Sequence, residues 1–532
     1  MRERNQVREK LEDLDSSLSV NRFWGALVPL ICMRFLLLLL FFTNIFASTL
    51  HLSTPTNPAR LNPLLATDSS SSEIAGFIFN SLVKYDKDAK EIVGDLAKKF
   101  YFEDEKTLVF ELRSGVKWHD GKSFSSKDVL FTYNTIISPT VSTPYSAAFR
   151  FVSSIEIVDD LVLKVHYTEP YFKAVEIWTM GILPEHLLRD EQNLMSSKFN
   201  TSPIGTGAYK LKKLEFSKNI ELEAYDEYFE GKPKIDRISF SVVGDAMTRF
   251  LKLKAGEVDV GSLEPLQYSR QLDESFFKRF KTHENISYSY SYLGFNLRLE
   301  KFQDPRVREA LSLAIDREEL VKVLFFDHAK VCLGPFLPNS MAYDESLKPV
   351  VRDLKRAKEL LSEAGYSKQN PFEFEIATSN SNSIRPYAAQ MLQQQLLEVG
   401  VRVKLRIMEW QAFLNTVVFP HKFDSVLLGW SLSPLPDPYL FWHSSSDKAG
   451  GFNLVGYKNN LVDELIERSQ SEVDEERLGE LFRRIGEIVI NDNAYLFLYI
   501  PTSISAVDKR IKGIDPSQSG IWHNYIKWEK ME

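Results

Sequence analysis

The stretch from residue 371 to residue 430 decides the fold, because strand and helix patterns alternate along it: "PFEFEIAT" (371–378), "IRPYAAQMLQQQLLEVG" (384–400), "VRVKLRIMEW" (401–410) and "FDSVLLGW" (423–430). The first, third and fourth segments predict strands. The second segment predicts a helix that ends at Gly400. Strands that alternate with helices form parallel sheets with crossover helices. The sequence therefore predicts an α/β fold for this half of the chain.

Further elements extend this pattern in both directions. Asp304 and Asp316 each precede an apolar-periodic segment, and we expect them to cap two helices. Residues 495–507, "YLFLYIPTSISAV", predict a hydrophobic strand near the C-terminus. Residues 82–200 instead predict mostly strands and turns. The chain is therefore expected to contain at least two α/β regions and one strand-rich region, which pack together without a flexible linker.

Composition and motif content exclude several functions. The chain has 532 residues, more than the roughly 100–200 residues of one typical domain. Its net charge of −7 gives no electrostatic support for nucleic-acid binding. The nine histidines are scattered without metal-ligand spacing, and no G-x-S-x-G nucleophile motif is present. The glycines of "IGTGAY" (204–209) precede a strand, unlike those of a phosphate loop. We therefore expect no enzyme activity, no catalytic residue, no cofactor and no metal site.

The N-terminus carries an export pattern. "MRFLLLLLFFTNIFAS" (33–48) has a positive start, a short apolar run and Ala47 as a cleavage residue, as in a secretory signal peptide. Residues 1–47 are therefore interpreted as a leader, with Met33 as the true start of translation. In the alternative interpretation, residues 23–46 form a retained membrane span. Cys32 precedes the apolar run, so it is not a lipid-anchor cysteine, and we expect a free periplasmic protein.

The loop after "FDSVLLGW" is a candidate ligand-binding element. Three prolines stop the strand and stiffen the loop: Pro434, Pro436 and Pro438. The segment also carries aromatic, hydroxyl and carboxylate groups: Trp430, Ser431, Ser433 and Asp437. In α/β sheets, ligands bind beyond the carboxyl ends of strands. We therefore expect these groups to line a ligand cleft, the alternative being a structural turn whose aromatic residues belong to the core.

Segments spread over residues 49–525 resemble the extracellular solute-binding proteins of family 5, the dipeptide- and oligopeptide-binding components of ABC importers. The most specific segment is "FELRSGVKWHDGKSFSSKDVLF" (110–131). Others are "LNPLLATDSSSSEIAGFIFNSLVKYD", "SPIGTGAYKL", "AYDEYFEGKPKIDRISF", "GFNLRLEKFQDPRVREALSLAIDREELV" and "LLGWSLSPLPDPYLFWHS". The resemblance implies a periplasmic binding protein-like α/β fold, type II and of the large, cluster C-like kind. Such a fold has two α/β lobes joined by a hinge, plus an extra strand-rich domain.

The same resemblance implies domain boundaries and a mechanism. Lobe I is expected to comprise residues 49–82, 203–290 and 498–532, the extra strand-rich domain residues 83–202, and lobe II residues 291–497. The chain is expected to cross between the lobes near residues 290–296 and 499–502. The implied mechanism is capture, in which open lobes bind a ligand, close around it and dock on a membrane permease. We expect the protein to act as a monomer.

The identity of the ligand stays open in the sequence. The predicted ligand-binding residues are Trp430, Ser431, Ser433, Asp437, Trp410 and Asn296. In the peptide binders of this family, an aspartate three residues after the tryptophan of this strand pairs with the α-ammonium of the peptide. The matching position here is Ser433, which lacks the charge that a buried ammonium requires.

Capture of di- or oligopeptides for an ABC importer is nevertheless the leading hypothesis. One alternative is a binding protein for a non-peptide small solute, such as a sugar, an opine or a metal chelate. A second is an anchored ligand sensor, which the retained membrane span would favour. A third is an exported hydrolase, for which no nucleophile, base and orienting residue can be assembled from the sequence.

Overall fold

The computed structural model describes residues 48–338, 340–380, 382–435, 437–448 and 451–531. The predicted leader over residues 1–47, the alternative membrane span over residues 23–46 and Pro436 lie outside these residues. Within the described ranges, no helix combines the length and the apolar character needed to cross a membrane.

The first part of the chain forms a strand, a helix and then the strand-rich region. The elements are β1 (Thr49–Thr54), α1 (Ser69–Ile78), β2 (Val83–Tyr85), β3 (Ile92–Gly94), β4 (Ala97–Asp104), β5 (Thr107–Leu112), α2 (Ser126–Ile136), β6 (Val152–Ile157), β7 (Val162–Tyr167) and α3 (Glu185–Leu188). β4, β5, β7 and β6 form an antiparallel sheet in that order, and β2 pairs with β3.

The next segment completes the first lobe. It contains β8 (Tyr209–Glu215), β9 (Asn219–Ala224), β10 (Arg237–Val242), α4 (Ala246–Ala255), β11 (Val260–Leu263), α5 (Pro265–Arg270), α6 (Glu274–Arg279) and β12 (Phe280–Ile286). A sheet in the order β1-β10-β9-β8 forms its centre, with β1 parallel to β10. Leu50 and Phe240 of this sheet share one apolar core with Phe110 and Trp178 of the strand-rich region. The strand-rich region is therefore packed onto the first lobe as one body.

The glycines of "IGTGAY" provide close packing between these parts. A Cβ atom on Gly205 would lie 1.9 Å from the carbonyl oxygen of Ile78, and one on Gly207 would lie 2.4 Å from that of Phe77. His119 bridges the two glycines, because its Nε2 donates to Gly207 O at 2.9 Å and its Nδ1 accepts from the Gly205 N–H at 3.2 Å. Burial lowers the pKa of His119 to about 4, so the ring is neutral near neutral pH.

The second lobe contains the alternating stretch from which the fold was predicted. Its elements are β13 (Ser289–Phe295), α7 (Pro305–Ala314), α8 (Arg317–Phe325), β14 (Ala329–Val331), α9 (Leu354–Glu363), β15 (Glu373–Ser379), α10 (Ile384–Leu397), β16 (Arg402–Met408), α11 (Trp410–Phe413), β17 (Ser425–Ser431), α12 (Tyr439–Trp442), α13 (Asn460–Gln470) and α14 (Glu475–Asn491). β15 lies parallel to both β16 and β17, as predicted. Leu427 packs into a core on one face of β17, and Val426 and Leu428 into a core on the other. Both faces of this strand are therefore buried.

One long strand near the C-terminus belongs to both lobes. β18 (Tyr495–Asp508) pairs with β13 and β14 as far as Pro501, and from Thr502 onward it pairs with β12 and β11. The link from β12 to β13 crosses beside it, since the N–H of Ser287 donates to Pro501 O at 3.0 Å. β19 (Ile511–Lys512) and β20 (Glu529–Lys530) then form a short pair. The predicted lobe boundaries at 290/291 and 497/498 stay predictions.

Candidate functional site

Strand β17 ends, as predicted, at the proline-rich aromatic loop. Trp430 is only partly buried there. Its ring centre lies 4.8 Å from that of Phe441 and 5.6 Å from that of Phe452. Its indole N–H donates to the hydroxyl of Tyr495 at 3.4 Å. These contacts fix the orientation of the indole at the carboxyl end of the strand, with part of its surface open.

Ser433 contacts a lysine of the strand-rich region. The Nζ atom of Lys173 lies 3.4 Å from Ser433 Oγ and donates to Leu435 O at 2.8 Å. A carboxylate oxygen of Glu176 lies 2.8 Å from the same ammonium. The position beside Ser433 is therefore filled by an ammonium of the protein itself, which Glu176 neutralises. Ser431, two residues earlier, is exposed.

Asp437 is bonded within the protein. Its Oδ1 accepts from the N–H of Tyr439 at 2.9 Å and from Nε2 of Gln470 at 3.1 Å. Its Oδ2 lies 3.8 Å from the guanidinium of Arg150 in the strand-rich region. The side chain is 5% exposed. Its carboxylate thus fixes the loop at the start of α12 and joins the two lobes.

The remaining two predicted residues lie at opposite ends of the sheet. Trp410 begins α11 directly after β16, at the same edge as the aromatic loop. Asn296 follows β13, whose last residue, Phe295, pairs with Ser425 at the other end of β17. The Asn296 amide is buried and donates to Phe423 O at 3.0 Å. The structure therefore places Trp410 at the same edge of the sheet as the loop, two strands away, and leaves Asn296 at the opposite end. The ligand-binding role of the six residues stays a prediction.

Arg385 lies at this edge as well, although no sequence motif marks it. It occupies the first turn of α10, which follows β15. Its guanidinium carbon lies 5.9 Å from the ring centre of Trp410. A Cβ atom on Gly429 would lie 3.3 Å from Arg385 Nη2, so the guanidinium rests against the backbone of β17. Burial lowers the pKa of this side chain.

The guanidinium of Arg385 is unpaired within the described part of the chain. No carboxylate there contacts it, and its buried Nε has no hydrogen-bond partner. Such a cation can bind a carboxylate through two parallel N–H···O bonds. Arg385 could have been found in the sequence from its position in the first turn of a helix that follows a parallel strand. Such a position lies at the carboxyl edge of the sheet, where ligands bind.

Three adjoining cavities each share a lining residue with the next. The first cavity, of about 580 Å³, lies in the first lobe and includes Trp522 in its wall. The second, of about 370 Å³, shares Trp522 and also contains Glu73 and Glu264. The third, of about 820 Å³, shares Glu264 and reaches Ile384 and Tyr387, which flank Arg385 on α10. Each is in or near the size range of small-molecule sites, roughly 300–1,000 Å³.

The groups at this edge suit binding. Throughout the described residues, no three His, Cys, Asp or Glu side chains are grouped so that they could hold a metal ion. The Cys332 thiol is buried, donates to Gly334 O at 3.3 Å and has its pKa raised to about 12 by burial. A thiol in this state is not a nucleophile near neutral pH. The sheet edge instead offers a cation, hydroxyl groups and aromatic surface.

Comparison with known proteins identifies relatives along most of the chain. The sequence profile of the family described as "Bacterial extracellular solute-binding proteins, family 5 Middle" matches residues 91–452. The oligopeptide-binding protein AppA of Bacillus subtilis is 30% identical over 499 residues, which cover 88% of this chain and 89% of that protein. The dipeptide-binding protein of Escherichia coli is 27% identical over 515 residues, with 89% and 93% covered.

Solved structures share the fold. The structure of Bacillus subtilis AppA in complex with a nonapeptide has a TM-score of 0.80 and 29% identity, covering 91% of this chain and 99% of that one. The structure of NikZ from Campylobacter jejuni in complex with Ni(L-His) has a TM-score of 0.81 and 28% identity, covering 91% and 100%. The two-lobed fold with a strand-rich extra domain is thus confirmed, and the ligands of these two proteins differ in kind.

Proposed function

The chain belongs to the family 5 bacterial extracellular solute-binding proteins, and on this basis we propose that it captures di- or oligopeptides in the periplasm for an ABC importer. Two relatives named as oligopeptide- and dipeptide-binding proteins support a peptide as the ligand. In this proposal the protein is a carrier and not an enzyme.

Arg385 is the observation that carries the proposal. It is a partly buried cation at the carboxyl edge of a parallel sheet, and no carboxylate pairs with it among the described residues. The free carboxylate of a peptide supplies the missing partner in bidentate geometry. Trp410 and Trp430, at the same edge, offer aromatic surface for side chains of varied shape. The peptide backbone in this arrangement is bound at its charged end, and its side chains are bound loosely.

The contacts between the lobes support capture by closure. The Phe172 N–H donates to Gln470 O at 3.1 Å, and the ring centre of Phe172 lies 5.7 Å from that of Phe482. Lys173 contacts Leu435 O from the same side. Contacts that exist only when the lobes meet shift the population toward the closed form, and a ligand that touches both lobes shifts it further.

The proposed location and partner follow from the sequence and the family. The export pattern of residues 33–48 supports delivery to the periplasm. The closed form then presents a surface built from both lobes to the membrane subunits of the importer. A monomer suffices for this step, since each chain contains both lobes.

A non-peptide solute is the second candidate, and the Lys173 ammonium beside Ser433 favours it. That ammonium occupies the acceptors at the position that matches the α-ammonium site of the family's peptide binders. A relative of similar fold, NikZ, is known in complex with Ni(L-His). An anionic or chelated solute would still find Arg385 unpaired.

Native mass spectrometry of the protein spanning residues 48–532, purified from the periplasm without denaturation, tests the proposal. A series of bound masses that match short peptides is the expected result. A single bound mass that fits no peptide would instead support the second candidate, a non-peptide solute. If the protein is recovered empty, it is offered defined peptide pools, and failure to bind any of them refutes peptide capture.

A further inference from the structure

The second of the three adjoining cavities carries a carboxylate that the proposed mechanism has not used. This cavity, of about 370 Å³, is bounded by residues at the ends of β1 and β11 and by side chains of α1 and α4. Glu73 projects from α1 into its wall. The Glu73 side chain is exposed to solvent, yet protein surrounds it closely enough that burial raises its pKa to about 7.

Glu73 has no counter-charge among the described residues. None of them forms an ion pair or a hydrogen bond with its carboxylate, and burial alone accounts for its raised pKa. The guanidinium of Arg249, in the same cavity, is bound by backbone, since it donates to Val243 O at 2.7 Å and to Gly244 O at 2.8 Å. Glu73 therefore gives this cavity a carboxylate that no ion pair or hydrogen bond of the described residues compensates, whereas the Glu264 carboxylate accepts a backbone N–H at the start of α5.

An uncompensated carboxylate in a partly desolvated cavity is unfavourable unless it binds a proton or a cation. Three acceptors suited to an ammonium near the aromatic loop already contact a cation of the protein. Lys173 bonds to Leu435 O and approaches Ser433 Oγ, and Glu176 pairs with the same lysine. At the loop, a positively charged ligand group thus meets acceptors that Lys173 already occupies, whereas the Glu73 carboxylate in the first lobe attracts it.

We propose that Glu73 binds a positively charged group of the ligand, an ammonium or a basic side chain, within this cavity. The inference rests on the proposed capture function and adds the site of the cation to it. The cavity shares Glu264 with the larger cavity that reaches α10, where Arg385 lies. Two unpaired charges of opposite sign, one in each lobe, therefore suit a zwitterionic ligand. Both are satisfied only when the lobes close around it, which couples recognition to closure.

The test compares Glu73→Gln with the wild-type protein and with Glu464→Gln. Glutamine keeps the shape of Glu73 and removes its charge, and Glu464 is an exposed glutamate on α13 outside the three cavities. The probes are peptide pools built only from Ala, Gly, Ser and Leu, with either a free or an acetylated N-terminus. An acetylated pool that also contains Lys tests a basic side chain. Thermal melting without ligand shows whether each variant is folded, and Glu73→Gln is expected to melt no lower than wild type.

Glu73→Gln is expected to lose about tenfold or more in affinity for the pools that carry a cation. Its affinity for the acetylated pool without Lys should be unchanged, and Glu464→Gln should match wild type on every pool. The inference is wrong if wild type binds the cation-free pool as tightly as the others. It is also wrong if Glu73→Gln weakens all pools alike.

Measurements on the same proteins distinguish an error in the Glu73 inference from an error in the proposed peptide capture. If wild type binds none of the peptide pools, peptide capture is refuted, and putrescine and arginine become the probes. If either probe raises the melting temperature of wild type but not that of Glu73→Gln, the result supports a cation site for another solute. No rise in wild type, or an equal rise in both proteins, overturns the inference.

Discussion

Replacement of Arg385 by methionine distinguishes a ligand-binding arginine from a structural one. The change removes the guanidinium and leaves an apolar chain of similar reach beside Gly429 and Trp410. Because no described carboxylate pairs with Arg385, the ligand-free protein loses no ion pair and no longer has to desolvate this cation. We therefore expect the free energy of unfolding of the ligand-free protein to stay unchanged or to increase.

The loss is expected in ligand binding instead. Removal of one partner from a buried, hydrogen-bonded charge pair costs about 2–5 kcal/mol. Because about 1.4 kcal/mol corresponds to a tenfold change, the Kd for a ligand with a free carboxylate should rise by roughly 30-fold to a few thousand-fold. Amidation of the ligand carboxylate should weaken binding to the wild-type protein by most of this factor. It should change the affinity of the variant only slightly.

Arg317 offers a matched control in the same lobe. Its Nε donates to Phe497 O at 2.8 Å and its Nη1 to Ser312 O at 3.1 Å, and the residue is 6% exposed. Burial lowers its pKa to about 10. Arg317→Met removes both of these buried, charge-assisted hydrogen bonds, at about 1.5–3 kcal/mol each, and leaves Ser312 O only the N–H of Ile315 at 3.4 Å. This variant should therefore melt at a lower temperature while its folded fraction keeps the wild-type affinity.

Thermal melting with and without ligand, followed by titration calorimetry, measures both quantities for the two variants. The ligand is the species identified by native mass spectrometry, or a defined peptide when none is retained. The reasoning is refuted if Arg385→Met is destabilised as strongly as Arg317→Met, because Arg385 would then be structural. It is equally refuted if Arg385→Met binds a free carboxylate as tightly as wild type.

Three further changes probe the same edge and the first lobe. Trp430→Ala is expected to weaken ligand binding and to leave the protein folded, because the indole is only partly buried; a loss of the folded state would assign Trp430 to the core. Ser433→Asp alone should not raise the affinity for free-amine ligands in calorimetry, because Lys173 would pair with the new carboxylate. When Lys173→Met is added, the affinity for these ligands is expected to rise. His119 has its pKa lowered from 6.5 to about 4, so its stabilisation, up to about 3 kcal/mol, is complete above pH 6.5 and is lost as the pH falls toward 4. Urea unfolding of wild type and His119→Gln between pH 7 and pH 4 measures this pH-dependent stabilisation. An equal pH dependence of the free energy of unfolding in both proteins would contradict the prediction.

The α/β architecture was readable from the sequence because local patterns carry it. The alternation over residues 371–430 predicts the parallel arrangement of β15, β16 and β17, which the structure confirms. Asp304 and Asp316 cap α7 and α8 as predicted, accepting from the N–H groups of Arg306 and Glu319. Each of these signals involves residues close together in sequence, so periodicity and capping rules suffice to detect it.

The site was less predictable because its contacts join distant segments. Lys173 and Ser433 are separated by 260 residues, and no periodicity links them. The polarity of Asp437 and Asn296 suggested ligand contacts, yet both side chains are bonded to protein atoms. Arg385 lies in a helix that the sequence predicted, but no motif marked it as a binding residue. Whether a polar group is already satisfied is a property of the folded chain, and the sequence alone does not contain it.

The sharing of β18 between the lobes has a consequence for how the protein is made. A ribosome completes the partner strands of both lobes, β11 to β14, long before it reaches Tyr495. Until residue 508 has emerged, both sheets lack the strand that joins them, and neither lobe can reach its native topology. The chain therefore stays incompletely folded while it is synthesised. A secretion channel for unfolded polypeptides accepts chains in this state. The same strand makes the lobes interdependent afterwards, since the loss of either sheet removes a strand from the other.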